Sequence, residues 1–241
     1  MEGPQVQLFV TWLVDSLTPE VGRATVDALE KSGCSVEVPA GQGCCGQPAF
    51  NVGLHEDARV MAAHTLDLLD STDGPVVIPS GSCTAMLTRH YEELFTGSER
   101  EEQARRVGAR ARELTQFLVD DLATEEGGSC DGCTIAYHYS CHGLRDLGLE
   151  GQADSLLDEM TRVPLDGDRD CCGFGGLFAV EMPAVSSAIM DRKLDSIESS
   201  GADTLVGGDV SCLLHLAGGL RRRGSDIVVK HIAEVLGDGD G

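Results

Sequence analysis

The sequence predicts an α/β protein made of two tandem halves, Rossmann-like and mainly parallel in their sheets, related by an internal Cys-Cys-Gly repeat. Three observations carry that reading. Short β-rich runs alternate with longer helical patterns along the 241 residues. The string Gly43-Cys44-Cys45-Gly46 returns as Asp170-Cys171-Cys172-Gly173. Each copy also sits in a similar frame of single residues: Cys141, 29 residues, Cys171-Cys172, 39 residues and Cys212 in the second half, against Trp12, 31 residues, Cys44-Cys45, 37 residues and Cys83 in the first. Two such copies make a chance pairing of cysteines a poor account. Residues 1–123 are expected to form the first domain, with an incomplete cysteine set, and residues 133–241 the second, with a complete one. The polar, glycine-rich stretch 124–132 is the candidate linker.

Taken in order, Gln5 to Trp12 reads as a buried first strand, being short and rich in Val, Leu and Phe. Thr18-Pro19-Glu20 offers an N-cap, a first-turn proline and an acidic first turn for a helix to about Lys31, stopped by Gly33. Ser35 to Pro39 is a short second strand, Asn51 to Asp70 a helix, and Pro75 to Pro79 a third strand with Ser80-Gly81-Ser82-Cys83 opening the next helix. The charged stretch 98–122 reads as one helical connection. In the second half Thr134 to Tyr139, 161–165, Asp203 to Gly207 and Asp226 to Lys230 are strands. Ser140-Cys141-His142 close the first of these strands, and helices are expected after them to about Leu157, from Glu181 to Ser199, from Ser211 to about Arg222 and from His231 to Leu236. Each cysteine or pair of the repeat therefore follows a strand, where open α/β sheets place their ligands. Helix N-termini there suit an anionic group.

Composition narrows the class. With 41% apolar residues the chain is globular, and no apolar run approaches the roughly 20 residues that cross a bilayer. No basic, cleavable leader precedes the first strand, so a soluble, cytoplasmic protein without direct membrane insertion is expected. Ten cysteines in such a chain point to thiolate chemistry rather than a disulfide framework. The charge of −22, from 40 acidic and 18 basic residues, excludes a general nucleic-acid binder. Only Lys31, Lys193 and Lys230 are lysines. Acid excess with lysine depletion spread along the chain reads as a halophilic surface more readily than as one acidic docking face. There is no Walker loop, dinucleotide fingerprint or nucleophile elbow, so flavin or nucleotide, if involved, is expected on a partner.

Four thiolates converging on one point hold zinc or an iron–sulfur cluster. Structural zinc favours close Cys-x-x-Cys knuckles, whereas these cysteines are spread over strand ends beside Gly173, Gly175 and Gly176, whose backbone N–H groups suit cluster sulfur. An iron–sulfur cluster is therefore favoured. Cys141, Cys171, Cys172 and Cys212 are the expected ligands of one [4Fe–4S] cluster, with Cys44, Cys45 and Cys83 as a second, incomplete site.

The doubled Cys…Cys-Cys-Gly…Cys pattern resembles the cysteine-rich CCG domain of heterodisulfide reductases and of the glycolate and glycerol-3-phosphate oxidase iron–sulfur subunits. The strings LFVTWLVD, GQGCCGQPAFN, PSGSCT, DCCGFGGLFAVEM and GADTLVGGDVSCLLHLAGGL resemble the lactate utilization protein A family over nearly the whole chain. The resemblance implies an iron–sulfur subunit passing electrons within a complex that oxidises L-lactate, or another 2-hydroxy acid, to pyruvate alongside other lactate utilization subunits. The chain itself is then non-catalytic or co-catalytic. A thiol/disulfide reductase and a zinc-bound structural module stand as alternatives. Two departures bear on the site. The family carries cysteine where this chain has Trp12, and Ser80 and Asp209 stand where the heterodisulfide reductase domain has the first cysteine of Cys-x-x-Cys, so its five-cysteine non-cubane cluster is not carried over.

The remaining candidates are read more plainly. Cys130 and Cys133 form a Cys-x-x-Cys in the linker, read as incidental or a weak metal pair, and Cys34 as a core residue. For His142, beside Cys141, a proton-handling role and a structural one are balanced. His55, His64, His90, His138, His215 and His231 are assigned to packing or surface. Gln47, Pro48 and Asn51 shape the turn after the first pair, and Asp209 caps the helix near Ser211.

Overall fold

The computed structural model describes residues 3–124, 127–130 and 132–237. In the first half β1 (Gln5–Leu8), α1 (Trp12–Leu17), α2 (Pro19–Lys31), β2 (Ser35–Glu37), α3 (Gln47–Asn51), α4 (His55–Leu69) and β3 (Val76–Ile78) lead to α5 (Gly81–Ala85). A π-helical turn joins α5 to α6 (Tyr91–Phe95), and α7 (Glu101–Arg110), β4 (Ala111–Glu113) and α8 (Leu114–Gln116) complete this half. The second half carries β5 (Ile135–His138), α9 (Cys141–Arg145), α10 (Gln152–Leu156), α11 (Phe178–Glu181), α12 (Pro183–Ser199), β6 (Thr204–Gly207), α13 (Val210–Arg223), β7 (Val228–His231) and α14 (Ile232–Leu236).

The strands form two wholly parallel sheets, ordered β2-β1-β3-β4 and β5-β6-β7. The second sheet repeats the β1, β3 and β4 places of the first. The counterpart of β2 survives as a single parallel bridge of Arg162 to Ile135, made by Ile135 N–H to Thr161 O at 2.8 Å and Val163 N–H to Ile135 O at 2.9 Å. The stretch 161–165 is thus one bridge and no strand. Val6, Leu29, Phe117, Ile135, Val206 and Ile232 share one buried core, so the halves are sealed by apolar burial, and α14 packs across on α2.

Several boundaries move for local reasons. β1 ends at Leu8, and Trp12 opens a helix instead of closing the strand. The helix expected from Asn51 is broken at Gly53, whose φ of +82° is cheap only for glycine, and resumes at His55. The helix expected after His142 begins earlier, at Cys141, because Ser140 caps it, and it breaks in the same way into α9 and α10, with Gly148 at φ +71° between them. The 98–122 connection is not one helix. It yields β4, pairing Ala111, Arg112 and Glu113 with Val76, Val77 and Ile78 because Ala111 and Glu113 are buried against the sheet. Thr18 stands at the N-cap of α2, but its hydroxyl makes no capping bond.

Candidate metal centre

The two halves present matched loops to one another. Trp12 opens α1 and Cys141 opens α9. Cys44-Cys45 and Cys171-Cys172 each run into a left-handed glycine, Gly46 at φ +89° and Gly173 at +91°. Both glycines also lie close against a neighbouring helix: a Cβ on Gly173 would clash with Ser186 O at 2.6 Å, and one on Gly46 would press on Ala58 O at 3.0 Å. Cys83 and Cys212 lie in the first turns of α5 and α13, capped by Ser80 and Asp209.

This arrangement brings Cys44, Cys45, Cys83, Cys141, Cys171, Cys172 and Cys212 to the wall of one cavity of about 270 Å³ between the halves. Cys45 Sγ lies 3.2 Å from Cys83 Sγ, and Cys172 Sγ 3.1 Å from Cys212 Sγ. Backbone N–H groups turn toward the sulfurs, Gly46 to Cys44 at 3.4 Å, Gly173 to Cys171 at 3.3 Å and Phe174 to Cys172 at 3.5 Å. A hydrogen bond from Cys45, helped by Gly46 N–H, pulls the Cys44 thiol down to about 6. Bonds from Cys141 and Cys172 depress Cys171 strongly. Their partners move the other way: Cys141, Cys172 and Cys45 are raised, first by donating to a neighbouring sulfur and then by burial. Each half therefore holds one thiol poised to ionise.

The turns are held from behind. Tyr91 Oη donates to Cys45 O at 2.9 Å, and Ser186 Oγ donates to Gly173 O at 2.8 Å. Lys193, buried in α12, donates through Nζ to Gly167 O at 2.5 Å and Asp168 O at 3.0 Å, fixing the approach to Cys171. Burial lowers its ammonium to about 8. None of these three supports was read from the sequence.

His138 is buried, as its assignment to packing expects, and it also has a second set of neighbours. Its ring lies in the wall of the second half, where its nitrogen and the sulfurs of Cys172 and Cys212 all stand within 4.8 Å of one another. Among the described residues neither buried ring nitrogen has a partner in good hydrogen-bond geometry, the backbone of Asp168 being the nearest such group, and burial, then Lys193, push the imidazole down to about 3, so it is neutral. An orphaned imidazole beside paired thiols, with soft sulfur donors around it, fits a thiolate-bound metal group at this wall.

Other candidates are placed as follows. His142 Nδ1 pairs with Asp146 Oδ2 at 2.6 Å, and its Nε2 faces Gln47 Nε2 at 3.5 Å across the cavity. Gln47 also donates to Ser82 O at 3.0 Å. Asp209 caps α13 through Ser211 N–H at 3.1 Å, as expected. Cys34 is buried in the shared core, Cys130 and Cys133 are joined as a disulfide, and none of the three lines the cavity. His215 lies against Phe174 of the second cysteine turn, and His231 is buried as the N-cap of α14. His55 and His90 pack on Phe50, while His64 Nε2 bonds Gly41 O.

The site breaks symmetry at one place. Ser140, at φ −69°, caps α9 through Gly143 N–H, whereas Thr11, in the matching place, stands at φ +71° and caps nothing. A β-branched residue in that region is strained, and strain of this kind collects at functional sites. Thr11 is buried, while Trp12 stands 54% exposed at the cavity wall where a fourth first-half thiolate would be.

Comparison with known proteins places this architecture. The cysteine-rich CCG domain matches twice, over residues 6–88 and 135–217. The chain is 46% identical over 241 residues to lactate utilization protein A of an Exiguobacterium species, covering 98% of each chain. It is 46% identical to the protein of that name from Shouchella clausii and 44% identical to that from Geobacillus kaustophilus, in each case over 96% of this chain and 98% of the relative.

Proposed function

The chain belongs to the cysteine-rich CCG family and, within it, to the lactate utilization protein A family; from that membership we propose that it serves lactate utilization as an iron–sulfur electron-transfer subunit. The observation that carries the reading is the convergence of seven cysteines, three from one half and four from the other, on a single cavity. Cys141, Cys171, Cys172 and Cys212 are the proposed ligands of one [4Fe–4S] cluster. Cys44, Cys45 and Cys83 make an open second site that retains a cluster weakly. When bound, such a cluster supplies one-electron transfer.

The chain's own residues then have defined work. The thiolates donate to iron, and the N–H groups of Gly46, Gly173 and Phe174 offset the negative charge gathered on sulfur. Trp12, Leu13, Phe174, Leu177 and Val210 line the cavity with apolar surface that limits water. His142, held by Asp146, faces the cavity as a group able to accept or release a proton. Oxidation of lactate to pyruvate releases two electrons and two protons, and that chemistry is assigned to a partner protein in the cytoplasm. No helix among the described residues is long and apolar enough to cross a membrane.

The His138–Cys172–Cys212 grouping favours a second reading, a zinc-bound structural module. One experiment separates the two. Iron, acid-labile sulfide and zinc are measured on anaerobically purified protein, with EPR after reduction, for wild type and Cys172→Ala. About four irons and four sulfides per chain, lost in the variant, support the cluster reading. Zinc without sulfide overturns it.

A further inference from the structure

The electron-transfer reading leaves a face of the molecule unexplained. Pro48 and Leu177 line the cysteine cavity from inside, and on their other side they line an open groove of about 380 Å³ with Ala49, Leu54, Val60 and Met61. Leu54 and Val60 are 52% and 73% exposed. Beyond Leu177 the chain continues into α11, Phe-Ala-Val-Glu, which has no fully buried residue. Val180, at 74% exposed, is followed by exposed Met182 and Val185 at the start of α12. The groove and the exposed apolar side chains after it are linked through Leu177, and clustered apolar exposure of this kind marks interaction sites.

Charge says what covers it. Asp57 lies in the groove and Glu181 ends α11; both are exposed, and neither has an ion pair among the described residues. A second copy would bring the same two carboxylates and a further −22 of charge to the contact. A partner with an apolar centre and a lysine or arginine rim would pair with them at short range, where salt screens least.

We propose that the groove of Leu54 and Val60, with Leu177 and the exposed helix α11, is the docking face for a basic-rimmed redox protein exchanging single electrons with the cysteine cavity. The proposal rests on the electron-transfer reading and adds the place of exchange. Pro48 and Leu177 are shared by groove and cavity, so a seated partner would pack on residues that also line the wall carrying the thiols. One electron leaves the reduced protein and one centre of the partner is reduced. No atom changes hands.

The test uses the iron-loaded full chain, reduced, freed of reductant and mixed anaerobically with a ferric, lysine-rimmed c-type cytochrome, whose haem iron gains the electron. A small neutral quinone serves as the control acceptor. Val60→Gln and Val180→Gln, polar but without an added carboxylate that would itself attract lysines, are expected to lower the second-order rate with the cytochrome tenfold or more, with iron content and the quinone rate held within twofold. Asp57→Lys is expected to lower the rate at low salt and flatten its salt dependence. Unchanged cytochrome rates in both apolar variants overturn the docking face alone, since quinone reduction still reports a working centre. So does a concentration-dependent dimer in sedimentation that Val60→Gln abolishes, because the occupant is then a second copy. Wild-type protein without iron removes the electron-transfer reading and this inference together.

Discussion

Asp209, the N-cap of α13 in the second half, accepts the backbone N–H of Ser82 in the first half at 2.8 Å. The same carboxylate accepts from Ser80 Oγ at 3.2 Å and from Ser211 N–H and Oγ at 3.1 and 2.6 Å. One buried side chain therefore ties the loop of Cys83 to the loop of Cys212. Asp209→Ala leaves these donors unsatisfied and removes a cap, and is expected to destabilise the chain by roughly 2–4 kcal/mol. Asp209→Asn, which keeps one acceptor oxygen, is expected to cost less. Denaturant unfolding of the three proteins checks the order, and an alanine variant as stable as wild type would remove the cross-half role.

Trp12 occupies the place that Cys141 holds in the second half, at the first residue of its helix and on the cavity wall. Restoring the thiolate there should complete the first-half set with Cys44, Cys45 and Cys83. Trp12→Cys, alone and with Thr11→Ser to reproduce the Ser140-Cys141 pair, is expected to raise iron retained after gel filtration by about four atoms per chain. Iron and sulfide analysis reads the outcome. If neither variant retains more than wild type, Trp12 is not what leaves the first site open.

Much of this arrangement was legible in the sequence, because the features that build it are local. The repeated Cys-Cys-Gly turns need left-handed glycines, and the strands before Cys83 and Cys212 are short apolar runs. What was not legible depends on distant partners. The strand β4 is unremarkable in its own residues and exists because Val76 to Ile78 offer it an edge. His138 reads as core from its apolar neighbours; only the fold sets it beside Cys172 and Cys212. The meeting of both cysteine sets on one cavity likewise needs the packing of α14 on α2 and of α5 on α9. Lys193 left a faint signal, as one of three lysines in a chain that otherwise avoids them, placed mid-helix.

The acid excess makes a prediction about salt. With 40 acidic against 18 basic residues the folded chain repels itself at low ionic strength. The ion pairs do not offset this: Arg100–Asp67, Arg106–Asp70 and Arg223 with Asp191, Asp195 and Glu198 are exposed or partly so and contribute little each. Raising KCl from about 0.1 M to about 2 M shortens the screening length from about 10 Å to below 3 Å. The thermal midpoint is expected to rise across that range, and the apolar cores gain further if the salt is sulfate. A midpoint that falls or stays level in KCl would remove the halophilic reading of the surface.

Glu113 supplies a pH signature of its own. It is buried at the end of β4, accepting from Thr115 N–H at 2.7 Å, Thr115 Oγ1 at 2.5 Å and Gln116 N–H at 3.2 Å. Those bonds favour the carboxylate, but burial outweighs them and, with the nearby Asp209, raises its pKa to about 7. An acid whose folded pKa lies above its unfolded value contributes stability that is complete below the unfolded value, near 4.3, and is lost as pH rises through the folded one. Wild type should therefore lose stability relative to Glu113→Gln between about pH 4.5 and 7.5, by at most ~3 kcal/mol. Glutamine keeps an acceptor for Thr115 and cannot ionise, so the difference between the two proteins isolates this group from the rest of the titration. Urea unfolding of both at half-unit pH steps measures it. A difference that does not change across that window, or that grows in favour of wild type as pH rises, would mean that Glu113 stays ionised in the folded protein and that its three hydrogen bonds win over burial.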